Sequence, residues 1–533
     1  MAAVETVLGL LVIVLALGAL ANRIGVAYPI LLVLGGLGLG FLPFLPDITL
    51  DPDLVLLVFL PPLLYWQSLT GSVRDLKTNL RTILFLAIGL VLMTVGVVGV
   101  VGHDALALPW AAAFTLGAII APTDEVAAVA IASKMSLSRR TLAIIEGESL
   151  VNDAAALVAY GVAVAAVTTG TFAFDGAVLR FVVSSLGGVL IGLGVGVAVL
   201  WLRKRLVDGA LQNTLSILTP LAAYVPAVAL DVSGVLAVVA VGLYLSREGP
   251  RVVSAGVRLQ GFGFWDLLVF PVNGLLFILV GLQLHQIVAA LTAYTATTLA
   301  LDALIVSATV IVLRLLWMVF VGALLHLGER LRGRDWRILS VREQLVIGWT
   351  GMRGGVSLAA ALAIPAKIAS GKPFPDRDLI LFLTFSVILA TLVVQGLTLP
   401  KAIDILGVKD DGSVDREERD TRLTMKQAAL DKIDALAHDH DAPSDDVERL
   451  RDEYKRQLAR LKAGSLREDE EGDDEAARHL RRALLDEERR AVVALRDRGE
   501  IGDDVLLRIQ RELDLEDVHL SEIDRVQEAD ATG

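Results

Sequence analysis

Long runs of apolar residues, separated by short polar stretches, dominate the first 408 positions of the chain. Most runs approach or exceed the roughly 17–25 residues that an α-helix needs to cross a bilayer. The pattern therefore predicts thirteen membrane-spanning helices. Their approximate limits are residues 4–21, 26–44, 54–70, 81–102, 109–133, 141–169, 177–203, 212–230, 233–247, 262–285, 298–327, 342–366 and 378–405.

Lys and Arg are distributed unequally among the predicted loops. The loops after odd-numbered spans hold eighteen Lys and Arg, whereas those after even-numbered spans hold four. Because positively charged loops stay on the cytoplasmic side, we expect the N-terminus outside and the segment after the last span in the cytoplasm. The first run lacks the charged flank and cleavage site of a signal peptide, so we interpret it as a retained span.

Composition divides the chain into two parts. The whole chain is 55% hydrophobic, with a mean hydropathy of +0.64. Residues 409–533 nevertheless carry 23 Lys and Arg against 37 Asp and Glu, a net charge of −14, whereas residues 1–408 carry +2. We therefore predict a membrane domain over residues 1–408 and an acidic cytoplasmic tail over residues 409–533. The acidity gives no support for nucleic-acid binding, and the lack of cysteine excludes disulfides and thiolate metal sites.

The tail shows helical spacing of its apolar residues. Two amphipathic helices are predicted around residues 423–436 and 447–461, and two more over Ala476–Leu495 and Val505–Leu515. The stretch Arg467–Glu475 is acidic enough to be a linker. We expect solvated helices without a partner, with a dimeric bundle or a regulatory lid as the alternatives.

A cluster of polar residues interrupts the sixth span. It contains Glu146, Glu148, Ser149, Asn152 and Asp153. Asp153 lies about 20 Å from the cytoplasmic end of its helix, near the middle of the membrane. Ionisable groups at that depth usually mark ion pathways or proton relays. The alternatives are that Ser and Asn only join neighbouring helices and that Glu146 lies at the water interface.

Two other spans contain residues that break helices. The fifth span holds Ala121-Pro122-Thr123-Asp124-Glu125, in which proline removes a hydrogen-bond donor and clashes with the preceding turn. The twelfth holds the glycine-rich stretch Gly348–Ser357, with Arg353 among the glycines. A simple proline kink is the alternative for the fifth span. Arg353 needs an anionic partner at this depth, and Glu148 is the candidate.

The two broken spans run in opposite directions through the membrane. Such a pair is typical of an inverted repeat in which half-helices cross near the bilayer midplane. Asp124 and Arg353 would then neutralise the half-helix ends. The residues alone therefore predict an ion-coupled transporter with an all-α membrane fold.

Several motifs in this order resemble the Na+/H+ exchanger family of monovalent cation/proton antiporters, of the bacterial type. The residues that carry the resemblance are Phe59–Tyr65, Thr123-Asp124, Glu146–Asp153, Ser233–Ala237, Asn273–Phe277, Gly351–Ser357 and Thr391–Gly396. The resemblance implies a thirteen-helix homodimer in the cell membrane that needs no cofactor and serves pH homeostasis. It also implies a dimerisation bundle and an ion-carrying core bundle, the core formed by spans four to six and eleven to thirteen.

The resemblance also implies roles for individual residues. Asp153 looks like the carboxylate that binds cation and proton in turn, and Asn152, Ser149 and Thr123 look like auxiliary ligands of Na+ or K+. Asp153, Ser149 and Thr123 are therefore the expected metal-ion ligands. Thr123 belongs to the fifth span and the other three residues to the sixth.

Three further residues match structural positions of the family. Glu148 and Arg353 resemble its buried ion pair, and Asp124 resembles the polar residue that holds the helix crossing together. Arg314, inside the eleventh span, is left open: it either pairs within the core or extends toward the interface.

The chain departs from the family pattern at two places. Family members commonly have Glu where this chain has Trp66, and Pro where it has Glu125. We hypothesise that Glu125, grouped here with Asp124 at the helix crossing, partly compensates for the missing carboxylate. The alternatives are a less anionic site and a solvated Glu125 in a cavity.

The expected function is therefore one-for-one, electroneutral exchange of Na+ for H+ at Asp153. Exchange of K+ for H+ is the first alternative, and a cation channel or sensor that acts through its tail is an alternative from another class. An intramembrane protease is disfavoured, since none of the three histidines of the membrane part lies in the polar core. No enzymatic activity is expected.

Overall fold

The computed structural model describes residues 2–41, 55–132, 135, 137–170, 174–291, 294–332, 339–368, 370–408, 412–437, 444–462 and 475–532. Within these residues the architecture is helical, with a single isolated β-bridge between Lys367 and Pro373. The helices are α1 (Ala2–Ile24), α2 (Tyr28–Gly40), α3 (Leu60–Thr70), α4 (Val73–Leu84), α5 (Val91–Asp104), α6 (Trp110–Ile120), α7 (Glu125–Ala132), α8 (Arg139–Thr169), α9 (Phe174–Arg203), α10 (Gly209–Ala229), α11 (Gly234–Glu248), α12 (Ala255–Ala290), α13 (Ala296–Arg332), α14 (Val341–Trp349), α15 (Gly355–Leu362), α16 (Arg377–Ala390), α17 (Gly396–Leu406), α18 (Ser413–Ala437), α19 (Ser444–Lys462), α20 (Glu475–Asp497) and α21 (Asp503–Thr532).

Every predicted span coincides with one of these helices or with a consecutive set of them. In the described part of the chain, eight helices are long and apolar enough to cross a membrane, so the protein is a multi-pass membrane protein. The count of thirteen crossings and the inverted repeats stay predictions. Residues 42–44, 54 and 133, at the ends of predicted spans, lie outside the described residues. The same is true of residues 467–474 of the predicted linker.

Local sequence explains where the helices begin and end. Ser138 caps α8 by accepting a hydrogen bond from the Thr141 amide, and α8 ends at Gly170 with a left-handed backbone (φ 71°). Ser340 and Glu343 form a reciprocal capping box at the start of α14. These caps fix the starts of the helix that carries Asp153 and of the half-helix that precedes Arg353.

The helices pack as two groups. The first contains α9, α10 and α11, which pack on one another; α10 and α11 also pack on α3, and α12 packs on α2. The second contains α4, α5, α6 and α8, with α13 against α14. The α2–α12 contact depends on small residues, because a Cβ on Gly36 would lie 2.1 Å from the Ile278 carbonyl oxygen.

Both predicted helix breaks are present. Helix α6 ends at Ile120 and α7 begins at Glu125, with Pro122 between them, and helix α14 ends at Trp349 and α15 begins at Gly355. The two breaks touch, since the Asp124 amide donates to the Met352 carbonyl at 2.8 Å. The simple proline kink is therefore wrong for the fifth span, because residues 121–124 are not helical.

The tail helices pack against each other and against the membrane part. An apolar core that includes Leu485, Val492, Val505 and Ile509 joins α20 and α21. The expectation of solvated helices without a partner is wrong, because α21 also packs on α12. Burial of the apolar core stabilises the packing of α20 and α21 on each other.

Ion pairs join the tail to both groups of membrane helices. At the start of α8, Arg139 lies 2.5 Å from Glu417 and 2.5 Å from Asp504 of the tail. On the other side, the buried Arg258 of α12 donates from Nε to Asp514 at 2.8 Å. The tail therefore contacts both α8, which carries Asp153, and α12, which belongs to the other group of helices.

Candidate ion-binding site

Helix α8 buries the polar cluster that the sequence singled out. Glu148, Ser149, Asn152 and Asp153 are all buried, and Asp153 is 6% exposed. Their spacing of three and four residues places them on adjoining faces of one helix, which lies against the break between α6 and α7. Glu146 is only half-buried and lines a separate, larger cavity.

Thr123, which lies in the break between α6 and α7, forms hydrogen bonds with three residues of this cluster. Ser149 Oγ donates to the Thr123 carbonyl at 2.5 Å, and Asn152 Nδ2 donates to Thr123 Oγ1 at 2.7 Å. Thr123 Oγ1 in turn donates to Glu148 Oε1 at 3.4 Å. The structure therefore brings together Thr123, Ser149, Asn152 and Asp153, and it exposes none of them to bulk solvent.

A cavity of about 40 Å³ lies beside Asp153 and is also lined by Thr123, Ser149 and Ser357. A water molecule needs roughly 10–15 Å³ of such space, so the cavity accommodates a partly dehydrated monovalent cation. Asp153 Oδ1 is buried and makes no hydrogen bond to the described residues. Carboxylate, hydroxyl and carbonyl oxygens are the ligands that hard cations prefer.

Ser357 is a candidate ligand that sequence reasoning missed. It lies on α15, it is buried, and its Oγ has no hydrogen-bond partner among the described residues. Its only signal in the sequence was its place at the end of the glycine-rich motif. Asn152, in contrast, does not line the cavity, so its direct contact in this structure is with Thr123.

The anionic partner predicted for Arg353 is wrong. Glu148 pairs with Arg314 of α13: Arg314 Nη2 donates to Glu148 Oε2 at 2.9 Å, and Arg314 Nη1 contacts Glu148 Oε1. Arg353 instead donates from Nε to the Ile120 carbonyl at 2.9 Å and from Nη1 to the Gly351 carbonyl. Arg353 thus donates hydrogen bonds to carbonyl groups that have no partner within a helix. A cation is stabilised there because the C-terminal end of a helix carries a partial negative charge.

Asp124 lies where the two breaks meet. Its Oδ1 accepts from the Val126 amide at 3.1 Å, which caps α7, and its side chain packs against Gly354 of the other break. Glu125 lines the larger cavity together with Trp66 and is 7% exposed.

The larger cavity has a volume of about 560 Å³ and adjoins the small one. The two share the lining residues Gln67, Val126 and Asn273. The larger cavity extends to Asp75 and Asp504, where the tail contacts the membrane part. The arrangement gives Asp153 an aqueous approach from the tail side of the protein.

Comparison with known proteins gives a consistent result. The sequence profile of the sodium/hydrogen exchanger transmembrane family matches residues 9–403. An uncharacterized Na+/H+ exchanger of Mycobacterium tuberculosis is 39% identical over 530 residues, which covers 96% of each chain. A sodium, potassium, lithium and rubidium/H+ antiporter of Bacillus subtilis is 35% identical over 405 residues, covering 73% of this chain and 60% of the relative.

The fold has a solved counterpart. The sodium proton antiporter MjNhaP1 of Methanocaldococcus jannaschii superimposes with a TM-score of 0.60 at 20% identity, covering 76% of this chain and 100% of the other. At that identity the likeness concerns the fold alone. Taken with the sequence matches, it shows that this chain belongs to the sodium/hydrogen exchanger family of membrane antiporters.

Proposed function

We propose that the protein is a secondary antiporter that exchanges Na+ for H+ because the two ions compete for Asp153. The observation that carries the proposal is the buried Asp153 carboxylate, whose Oδ1 has no partner among the described residues beside a cavity lined by oxygen ligands. A carboxylate in an apolar barrier is costly unless a cation or a proton neutralises it. The site therefore crosses the membrane loaded with one ion or the other.

The neighbouring residues position the ligands of the cation. Ser149 and Asn152 hold the carbonyl and hydroxyl of Thr123, and Glu148 accepts from that hydroxyl. Thr123, Ser149 and Ser357 supply neutral oxygens, and Asp153 supplies the charge. Because a single carboxylate gains either one proton or one monovalent cation, exchange is one-for-one and electroneutral.

The transported cation is Na+, with K+ as the alternative. The relative from Bacillus subtilis is named for sodium, potassium, lithium and rubidium, which favours testing each of these ions. The protein acts as a homodimer in the cell membrane with its N-terminus outside and its tail in the cytoplasm, and it contributes to pH homeostasis. Its partners are monovalent cations, protons and membrane lipid.

The tail regulates exchange in this proposal. Transport by a rocking bundle requires the helices around Asp153 to move relative to the rest of the protein. The ion pairs of Arg139 with Glu417 and of Arg258 with Asp514 tie α8 and α12 to the same tail. A docked tail therefore opposes that movement.

The experiment uses the purified full-length protein in proteoliposomes that contain a pH-sensitive dye. Pulses of Na+, K+ or Li+ should produce saturable proton movement, and the initial rate with Na+ should not change when a membrane potential is imposed with an ion that the protein does not exchange. Proton movement that follows the potential would overturn electroneutrality. Cation flux without coupled proton movement would instead indicate a channel.

A further inference from the structure

Glu125 occupies an unusual position for a carboxylate. It is the first residue of the half-helix α7 and is only 7% exposed, and its Oε2 is buried without a hydrogen-bond partner in the described part of the chain. Its side chain lines the 560 Å³ cavity that adjoins the Asp153 site. Buried carboxylates are normally paired or bound to cations, so an unpartnered oxygen on a side chain that lines a cavity points to a ligand.

Trp66 also lines this cavity. Its indole stacks on Trp265, with ring centroids 6.1 Å apart and planes at 10°. An aromatic side chain therefore stands at the position where the family pattern has a glutamate. Glu125, on the half-helix α7, brings a carboxylate to the same cavity.

Charge in the larger cavity is unbalanced. Arg139 pairs with Asp75, Glu417 and Asp504, and Arg508 pairs with Glu418. No ion pair between described residues includes Glu125 or Glu146, although both line this cavity. Two carboxylates in a low-dielectric concave wall produce a field that attracts cations.

Neutral oxygen ligands lie on the route between the two cavities. Gln67 and Asn273 line both of them, and each side chain carries an amide oxygen. Carboxylate and amide oxygens together suit a monovalent hard cation that keeps part of its water shell. A cation at Glu125 would thus lie on the aqueous approach to Asp153.

We propose that Glu125 forms a second, separate monovalent-cation site in the larger cavity, which loads a cation before it reaches Asp153. Glu146 strengthens this site through its charge. The proposal deepens and rests on the proposed exchange function, because the second site supplies ions to the first. It also explains how this chain works with Trp66 in place of a glutamate.

The decisive experiment measures cation binding where Asp153 cannot contribute. The full-length Asp153→Asn protein in detergent is titrated with NaCl against choline chloride at constant ionic strength, and thermal unfolding is followed. Retained, saturable stabilisation by Na+ is expected in Asp153→Asn and is lost in Asp153→Asn/Glu125→Gln. The matched control is Asp153→Asn/Asp104→Asn, which removes an exposed carboxylate and should behave as Asp153→Asn.

Two results would overturn the second site: complete loss of Na+ stabilisation in Asp153→Asn, or its full retention after Glu125→Gln is added. In proteoliposomes, Glu125→Gln alone should raise the apparent KM for Na+ on the order of tenfold while exchange persists. An unchanged KM would contradict the loading role. Absence of exchange in the wild-type protein would contradict the proposed function instead, so the two failures are distinguishable.

Discussion

Glu148 and Arg314 form a buried two-pronged ion pair between α8 and α13, with side chains 1% and 2% exposed. Glu148 also accepts from Thr123, whose hydroxyl holds Asn152. The pair therefore anchors the network that positions the break beside Asp153. Glu148 is neutralised by Arg314, whereas Asp153 forms no ion pair with another described residue.

Arg314→Met should destabilise the protein by about 3–5 kcal/mol, because Glu148 would remain buried and charged without its partner. Thermal unfolding in detergent measures this loss. Arg180→Met, which removes an exposed arginine, should have little effect. The double variant Glu148→Gln/Arg314→Met should lose less stability than the sum of the single variants, and simple additivity would contradict the pairing.

Gly354→Ala should separate the two crossing breaks. A Cβ at Gly354 would lie 2.4 Å from Asp124 Oδ2 and 2.6 Å from Asp124 Cγ. Overpacking of this kind typically costs about 1–3 kcal/mol. Both the unfolding temperature and the Na+/H+ exchange rate should fall. Gly38→Ala is the matched control, because nothing lies within 4 Å of its added Cβ, and equal behaviour of the two variants would refute the close crossing.

The helix breaks and the grouping of the polar side chains could be predicted from local sequence, whereas their neighbours on other helices could not. Pro122 and the glycines around Arg353 located both breaks, because their backbone effects are local. The helical spacing of Ser149, Asn152 and Asp153 likewise placed them together. These inferences needed no knowledge of which helices are neighbours.

The ion-pair partner of Glu148 could not be predicted from local sequence. Arg314 and Arg353 both lie deep in predicted spans, and spacing along the chain does not give the rotation of α13 relative to α8. Ser357 was missed for a similar reason, since a buried hydroxyl on a helix more often bonds its own backbone. Docking of the tail could not be predicted either, because it depends on pairs such as Arg258–Asp514, whose residues lie far apart in the chain.

Docking of the tail should depend on pH. Burial raises the pKa of Asp503 and of Asp504 above the usual aspartate range. The docked state therefore binds protons more tightly than the undocked state. This contribution to docking is fully present below the free aspartate pKa of about 4 and is lost as pH rises through the raised pKa values. Alkaline conditions should thus favour release.

The cysteine-free sequence allows this release to be measured with two introduced spin labels. Cysteines at the exposed positions Thr78 of α4 and Arg511 of α21 should report a short distance at low pH and a broader distribution at high pH. Asp503→Asn/Asp504→Asn should flatten this pH response. The exposed Asp452→Asn control should not. Tighter docking at high pH would contradict the sign derived from the pKa shifts.

The central claim is that Asp153 is the group for which cation and proton compete. Asp153→Asn preserves the size of the side chain and removes its charge. The direct measurement is Na+-driven proton movement in proteoliposomes that contain equal amounts of folded wild-type and Asp153→Asn protein. Saturable exchange is expected in the wild type and none in the variant. Saturable exchange that persists in Asp153→Asn would contradict it.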